Sequence, residues 1–183
     1  MIQKTGAWKG VEVKKNHFFD IRLADEILKY IGSDSILDLG CGMGEYVKHF
    51  LGNGIYAEGY DGNPDTPELS DFACSVMDLT IPKKINTDYD WVLSLEVGEH
   101  IPSEYEDLYI ENLDLNNKKG VIISWAIPNQ QGYGHVNCKT NDYVKKLFHD
   151  LGYLNNQEIE TRFREVSRLP WFKNTIMVFE RFV

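Results

Sequence analysis

Apolar residues in "FFDIRLADEILKYI" (18–31) fall at four-residue steps. Phe19, Leu23, Ile27 and Ile31 lie near one face of a helix that Gly32 stops. The short apolar run "SILDLG" (35–40) predicts a strand ended by glycine, and "MGEYVKHFL" (43–51) a helix. "GIYAEGYD" (54–61), "DFACSVMDL" (71–79) and "DYDWVLSLE" (88–96) predict the second, third and fourth strands. "SEYEDLYIENL" (103–113) predicts a helix opened by a capping box between Ser103 and Glu106, with Pro102 just before it. "KGVIISWAI" (119–127) predicts a fifth strand, and "TNDYVKKLFHDLG" (140–152) a helix with Thr140 as N-cap and Gly152 beyond its end. The tail alternates apolar and polar residues in "EIETRFREV" and "NTIMVFERF", predicting two strands that pair antiparallel.

Strands alternating with helices predict an α/β fold of Rossmann-like kind: a seven-stranded, mostly parallel sheet with an antiparallel C-terminal strand and helices on both faces. Residues 1–183 are read as one domain, with 1–17 as an N-terminal lid or arm in which Trp8, His17 and Phe18 are candidate contacts. Ligands of such sheets bind beyond the carboxyl ends of the strands, so the informative residues are those that finish each strand.

Composition narrows the class. Hydrophobic residues are 43% and charged residues 26%, with a net charge of −9, as in a soluble globular protein. No apolar run is long enough for a membrane span, and the N-terminus shows no apolar signal-peptide core. Cys41, Cys74 and Cys138 are odd in number and far apart, with no CxxC. That argues against a disulfide scaffold or a structural zinc site and points to a reducing, cytoplasmic setting. The acidic excess lies in residues 1–138, which disfavours nucleic-acid binding by charge. Arg162, Arg164, Arg168 and Lys173 offer only a local basic rim, read as a solvated face.

"LDLGCGMGEY" (37–46) places Asp38, Gly40, Gly42 and Gly44 at a strand-to-helix turn, where glycines let the backbone approach a ligand. Asp61 ends the second strand and Asp78 follows the third. A carboxylate at the end of the second strand suits a ribose diol, a device that dinucleotide enzymes share. The spacing here is GxGxG, and an acid before it would repel a pyrophosphate but tolerate a cationic sulfonium. Over residues 16–183 this combination resembles the class I S-adenosylmethionine (SAM)-dependent methyltransferases. The resemblance implies that Gly40, Gly42 and Gly44 line the methionine moiety. It also implies that Asp61 takes the ribose hydroxyls, and that Asp78, flanked by Met77 and Leu79, approaches the adenine amino group.

"LSLEVGEHIP" (93–102) crowds Glu96, Glu99 and His100 at the end of the fourth strand. Two close carboxylates repel unless one stays protonated or a cation neutralises both. Carboxylate oxygens with imidazole nitrogen suit Mg²⁺, Mn²⁺ or Fe²⁺. Glu96-x-x-Glu99-His100 resembles the E-x-x-E-H cation motif of small-RNA 2′-O-methyltransferases and of ubiquinone-synthesis O-methyltransferases. The RNA group adds a histidine after the fifth strand, where this chain has His135. The resemblance implies a metal held by Glu96, Glu99, His100 and His135, with Mg²⁺ or Mn²⁺ as the ion. Without a metal, His135, His100 and Glu96 remain the catalytic candidates, an imidazole taking the hydroxyl proton. The family usually has a larger apolar residue where Gly98 stands.

The loop "WAIPNQQGYGHVN" (125–137) is expected to overhang the acceptor. Trp125, Asn129, Gln130, Gln131, Tyr133 and Asn137 can stack on a sugar ring and bond its hydroxyls. The reading is therefore metal-assisted O-methyl transfer to a sugar or glycan acceptor. The alternatives are RNA ribose, a small phenol or quinone, a non-catalytic SAM-binding subunit, or a dehydrogenase.

Overall fold

The structure, a computed structural model, describes residues 2–9, 13, 17–85 and 88–182. Helix α1 (Ile21–Ile31) begins at Asp20, whose Oδ1 accepts from the Arg22 and Leu23 amides at 3.2 Å each. The other oxygen of Asp20 accepts from the Arg168 and Leu169 amides, tying the helix start to the C-terminal tail. Strand β1 (Ile36–Leu39) leads through the glycine turn into α2 (Glu45–Gly52) and β2 (Ala57–Asp61). A short helix α3 (Thr66–Leu69) and a two-residue β3 (Ser75–Val76) follow, then β4 (Trp91–Leu95), α4 (Glu106–Leu115) and β5 (Gly120–Ser124). The chain closes with α5 (Asn141–Asp150), β6 (Tyr153–Asn155), α6 (Gln157–Val166), α7 (Phe172–Thr175) and β7 (Ile176–Arg181).

The seven strands form one sheet in the order β3-β2-β1-β4-β5-β7-β6. All neighbours are parallel except β7, which runs antiparallel to both β5 and β6. Alternation within each strand divides the core. Ile36, Leu93, Ile122 and Val178 face a layer with Leu23, Ile27, Phe50 and Phe163; Leu37, Val92, Val121 and Phe179 face another with Tyr109, Leu113 and Phe148. Helices thus cover both faces, as expected for parallel strands buried on both sides. Strand order reverses between β1 and β4, so the site is expected beyond their carboxyl ends.

Three local expectations are corrected. The segment "EIETRFREV" is helix α6, not a strand, and the antiparallel partner of β7 is Tyr153–Asn155. Ile159, Phe163 and Val166 follow the helical step, the Asn156 side chain accepts from the Ile159 amide at 3.1 Å, and Glu160 pairs with Arg164 one turn on. There is no capping box at Ser103: a 3₁₀ turn, Ser103–Tyr105, precedes α4 with no side-chain cap. Glu106 instead accepts from Asn137 and Lys139 at 2.8 and 2.9 Å and from the Tyr143 hydroxyl. The third strand is confined to Ser75–Val76. Thr140 caps α5 as expected, its hydroxyl accepting from the Tyr143 amide.

Candidate functional site

A cavity of about 300 Å³ opens at the carboxyl edge of β1, β2 and β4. Its cofactor side is built by the strand ends. Asp38, Gly40, Gly42, Asp61, Asp78 and Leu79 line it. Gly44 does not line it: this residue is the left-handed N-cap of α2. Met77 is buried beside the cavity without lining it.

Asp61 organises this side. Its Oδ2 accepts from the Gly42 amide at 3.0 Å and its Oδ1 from the Asn63 amide at 2.8 Å. A carboxylate offers about four lone-pair directions, so each oxygen keeps one for a ligand. Gly42 has φ +55°, and a Cβ there would stand 1.8 Å from the His17 ring. Only glycine serves at a left-handed turn so closely covered. Burial pushes the Asp38 carboxyl well above the usual carboxylate range, with smaller contributions from Cys74 and Asp61.

The second half of the site sits on the loop after β4. Glu99, His100 and His135 each offer one ligand atom within 4.8 Å of the others. Glu99 is fully buried, and neither of its side-chain oxygens has a hydrogen-bond partner. Burial and then the Glu96 charge push its carboxyl well above the usual range. His100 Nδ1 lies 3.2 Å from the Gly134 carbonyl, and His135 Nδ1 lies 3.1 Å from the Gln130 carbonyl. If each Nδ1–H donates to its carbonyl, both rings keep an unprotonated Nε2 free for a ligand. His135 Nε2 stands 3.9 Å from Glu99 Oε1. Burial lowers both imidazoles, His100 to about 4, so both are neutral at pH 7, as ligands or bases must be.

The structure brings three of the four expected ligands together, while Glu96 falls outside that group although its carboxyl lies against that of Glu99. Glu96 turns the chain with φ +55°, and its carboxylate accepts from Gln130 and Thr175. Gly98 has a packing reason to be small. A Cβ there would meet the Trp125 ring at 2.4–2.5 Å, so the fully buried indole fills the volume that a larger side chain would need. Gly98→Ala should therefore destabilise the fold by about 1–3 kcal/mol through overpacking. A thermal melt checks this, and an unchanged Tm would show that the indole has room to move.

Trp125 and Asn137 are not acceptor contacts. The indole N–H of Trp125 donates to the Asn137 carbonyl at 2.7 Å, and the Asn137 amide binds Glu106, so both serve to pin the loop. Asn129 is exposed and lies off the cavity, whereas Gln130, Gln131 and Tyr133 line it. Trp8, His17 and Phe18 line the cavity. Gln3 Nε2 donates to the Gly62 carbonyl at 3.0 Å, and Trp8 packs edge-on to His100 and Tyr133 with ring centres 5.2 and 5.7 Å apart. Trp171 and Phe172 also line the cavity, and sequence reasoning missed them, because the chain returns here only through the tail. Of the basic rim, Arg162 pairs with Glu26, and Arg164 with Glu160 and the Ile176 carbonyl, so two of its four cations serve the fold.

Among the described residues no helix is long and apolar enough to cross a membrane. No protein-family model and no curated protein matches the sequence. Solved structures do match. Magnesium protoporphyrin IX methyltransferase from Synechocystis PCC 6803, with bound SAH, aligns with a TM-score of 0.68 at 15% identity, over 93% of this chain and 92% of that one. A TehB-like SAM-dependent methyltransferase from Corynebacterium glutamicum aligns at 0.66 and 16%, over 93% and 91%. Small RNA methyltransferase HEN1 aligns at 0.65 and 19%, over 86% of this chain and 24% of that larger one. At these identities the likeness concerns the fold: the chain has the Rossmann-like fold of SAM-dependent methyltransferases.

Proposed function

We propose that the protein is a SAM-dependent O-methyltransferase that methylates a hydroxyl of a sugar or glycan with the help of a divalent cation. The observation that carries the reading is the buried, unpartnered Glu99 carboxylate facing two neutral imidazoles, beside a cavity edged by Asp61. A fully buried carboxylate without a donor is costly unless it is protonated or paired with a cation. The donor set of one carboxylate and two imidazoles suits Mg²⁺ or Mn²⁺, with Glu99, His100 and His135 as the residues that would hold it. Such a cation supplies Lewis acidity toward an acceptor hydroxyl that hardly ionises by itself at neutral pH.

The residues do the rest. Asp61 and the glycine turn would hold SAM, which would supply the methyl group for the acceptor oxygen, the acceptor's hydroxyl proton passing to solvent. Gln130, Gln131 and Tyr133 offer polar contacts to a polyhydroxyl acceptor. Five carboxylates line the cavity (Asp38, Asp61, Asp78, Glu96 and Glu99), and no lysine or arginine does among the described residues. That charge suits a cationic cofactor and an uncharged acceptor, and it disfavours phosphate-rich RNA. Residues 2–9 act as a lid over both halves of the site. A second reading rests on the same neutral histidines: without a cation, His100 or His135 takes the proton as a plain general base.

Calorimetric titration with SAM and with NAD tests the cofactor, and binding of SAM alone is expected. Methyl transfer from labelled SAM is then measured on methyl glycosides, catechol and a small-RNA duplex. Transfer to the glycosides is expected, abolished by chelator and restored by Mg²⁺ or Mn²⁺. Full turnover in excess chelator replaces the cation reading with the general-base one. Strong activity on RNA at physiological salt overturns the sugar reading.

A further inference from the structure

Glu96 has donors on both carboxylate oxygens while Glu99, three residues on, has none. Its Oε2 accepts from Gln130 Nε2 at 2.7 Å and its Oε1 from Thr175 Oγ1 at 3.2 Å. Its amide donates to Ser124 Oγ at 2.8 Å, which fixes the left-handed turn from which the side chain departs. Thr175 Oγ1 also lies 2.9 Å from the Trp171 carbonyl, and a hydroxyl has a single proton to share. Gln130 is therefore the main restraint on Glu96. The backbone carbonyl of Gln130 also accepts from His135 Nδ1. One residue thus orients an imidazole of the candidate cation centre through its main chain and ties up the neighbouring carboxylate through its side chain.

We propose that Gln130, assisted by Thr175, is a latch that competes with the adjoining Glu99–His100–His135 centre for the Glu96 carboxylate and so sets the affinity of that centre for a divalent cation. The inference rests on the cation reading above. A cation that draws the Glu96 carboxylate toward the centre moves it away from Gln130, so the latch lowers apparent affinity by what that bond is worth. Because Gln130 belongs to the loop that lines the acceptor side, its release frees a carboxamide where the acceptor would enter.

Mn²⁺ alone is the probe, its binding measured by calorimetry and by electron paramagnetic resonance in the full chain. Gln130→Ala keeps the backbone carbonyl that orients His135 and removes only the latch. It should bind Mn²⁺ roughly tenfold more tightly, the effect of about one hydrogen bond to a charged group. Bound Mn²⁺ should also carry one water fewer in this variant, read from line broadening in ¹⁷O-enriched water. In a Glu96→Gln background the gain should vanish, since the cycle isolates the coupling. Thr175→Val should act in the same direction more weakly. A residue that merely supported the loop would weaken binding on removal, the opposite sign. Unchanged or weaker binding in Gln130→Ala overturns the latch, as does a gain that persists with Glu96→Gln. If the parent protein binds SAM but no Mn²⁺, the cation reading fails and the latch fails with it.

Discussion

Asp61→Ala should weaken SAM binding by roughly a hundredfold, because two hydrogen bonds from a ribose diol to a charged carboxylate are lost at about 1.5–3 kcal/mol each before any compensation. The structure adds a second cost. Asp61 also accepts from the Gly42 and Asn63 amides, so alanine releases the glycine turn from the end of β2. Asp61→Asn separates the two effects. Its carboxamide keeps one acceptor oxygen and is nearly isosteric, so it should fall between parent and alanine in SAM affinity. Calorimetry supplies the affinities, and a melt without ligand measures the contribution of the turn. If Asp61→Ala bound SAM as tightly as the parent, the cofactor side of the cavity would be misassigned.

The strand ends were legible because they are local. Asp38, Asp61, Asp78 and Glu96 each follow an apolar run, and a parallel sheet gathers such ends at one edge whatever the loops do. The helix α6 was misread because alternation in "EIETRFREV" coincides with a helical step over Ile159 and Phe163. The Asn156 cap that settles the choice lies outside the quoted run. The roles of Trp125 and Asn137 were not legible, since a polar and aromatic loop can point its side chains inward or outward. Only the fold shows that these two bind one another and Glu106. Nor could a sequence place Thr175 against Glu96, 79 residues earlier, because that meeting depends on β7 inserting between β5 and β6. Spacing brought Glu96, Glu99 and His100 into one group of candidates, and the resemblance added His135. The diversion of Glu96 was beyond it, because that depends on which donors reach the carboxylate first.

Glu99→Gln should lower Mn²⁺ affinity at least about a hundredfold, since it removes the anionic member of the centre, and should act oppositely on the stability of the metal-free protein. Glu99 holds its proton far more tightly folded than unfolded, because burial and the Glu96 charge disfavour its ionised form. The native state therefore binds more protons than the unfolded one above pH 4.5, the ordinary value for this group, and stability falls as pH rises from there through the raised folded pKa. One group in its window contributes a slope of up to about 1.4 kcal/mol per pH unit. Asp38 adds a loss of the same sign, and His100, displaced downward to about 4, loses stability on the acid side instead. Both occur in parent and variant alike and cancel in the difference. The buried carboxamide that the substitution introduces carries its own desolvation cost, but that cost does not vary with pH. In chelator, the stability of Glu99→Gln relative to the parent should thus increase as pH rises above about 5. Saturating Mn²⁺ should reverse the order by stabilising the parent alone, in proportion to the logarithm of ligand concentration over Kd. Melts across pH with and without Mn²⁺ measure both signs. A difference that does not move with pH means Glu99 is already ionised in the metal-free fold. Equal stabilisation of parent and variant by Mn²⁺ means the cation sits somewhere else.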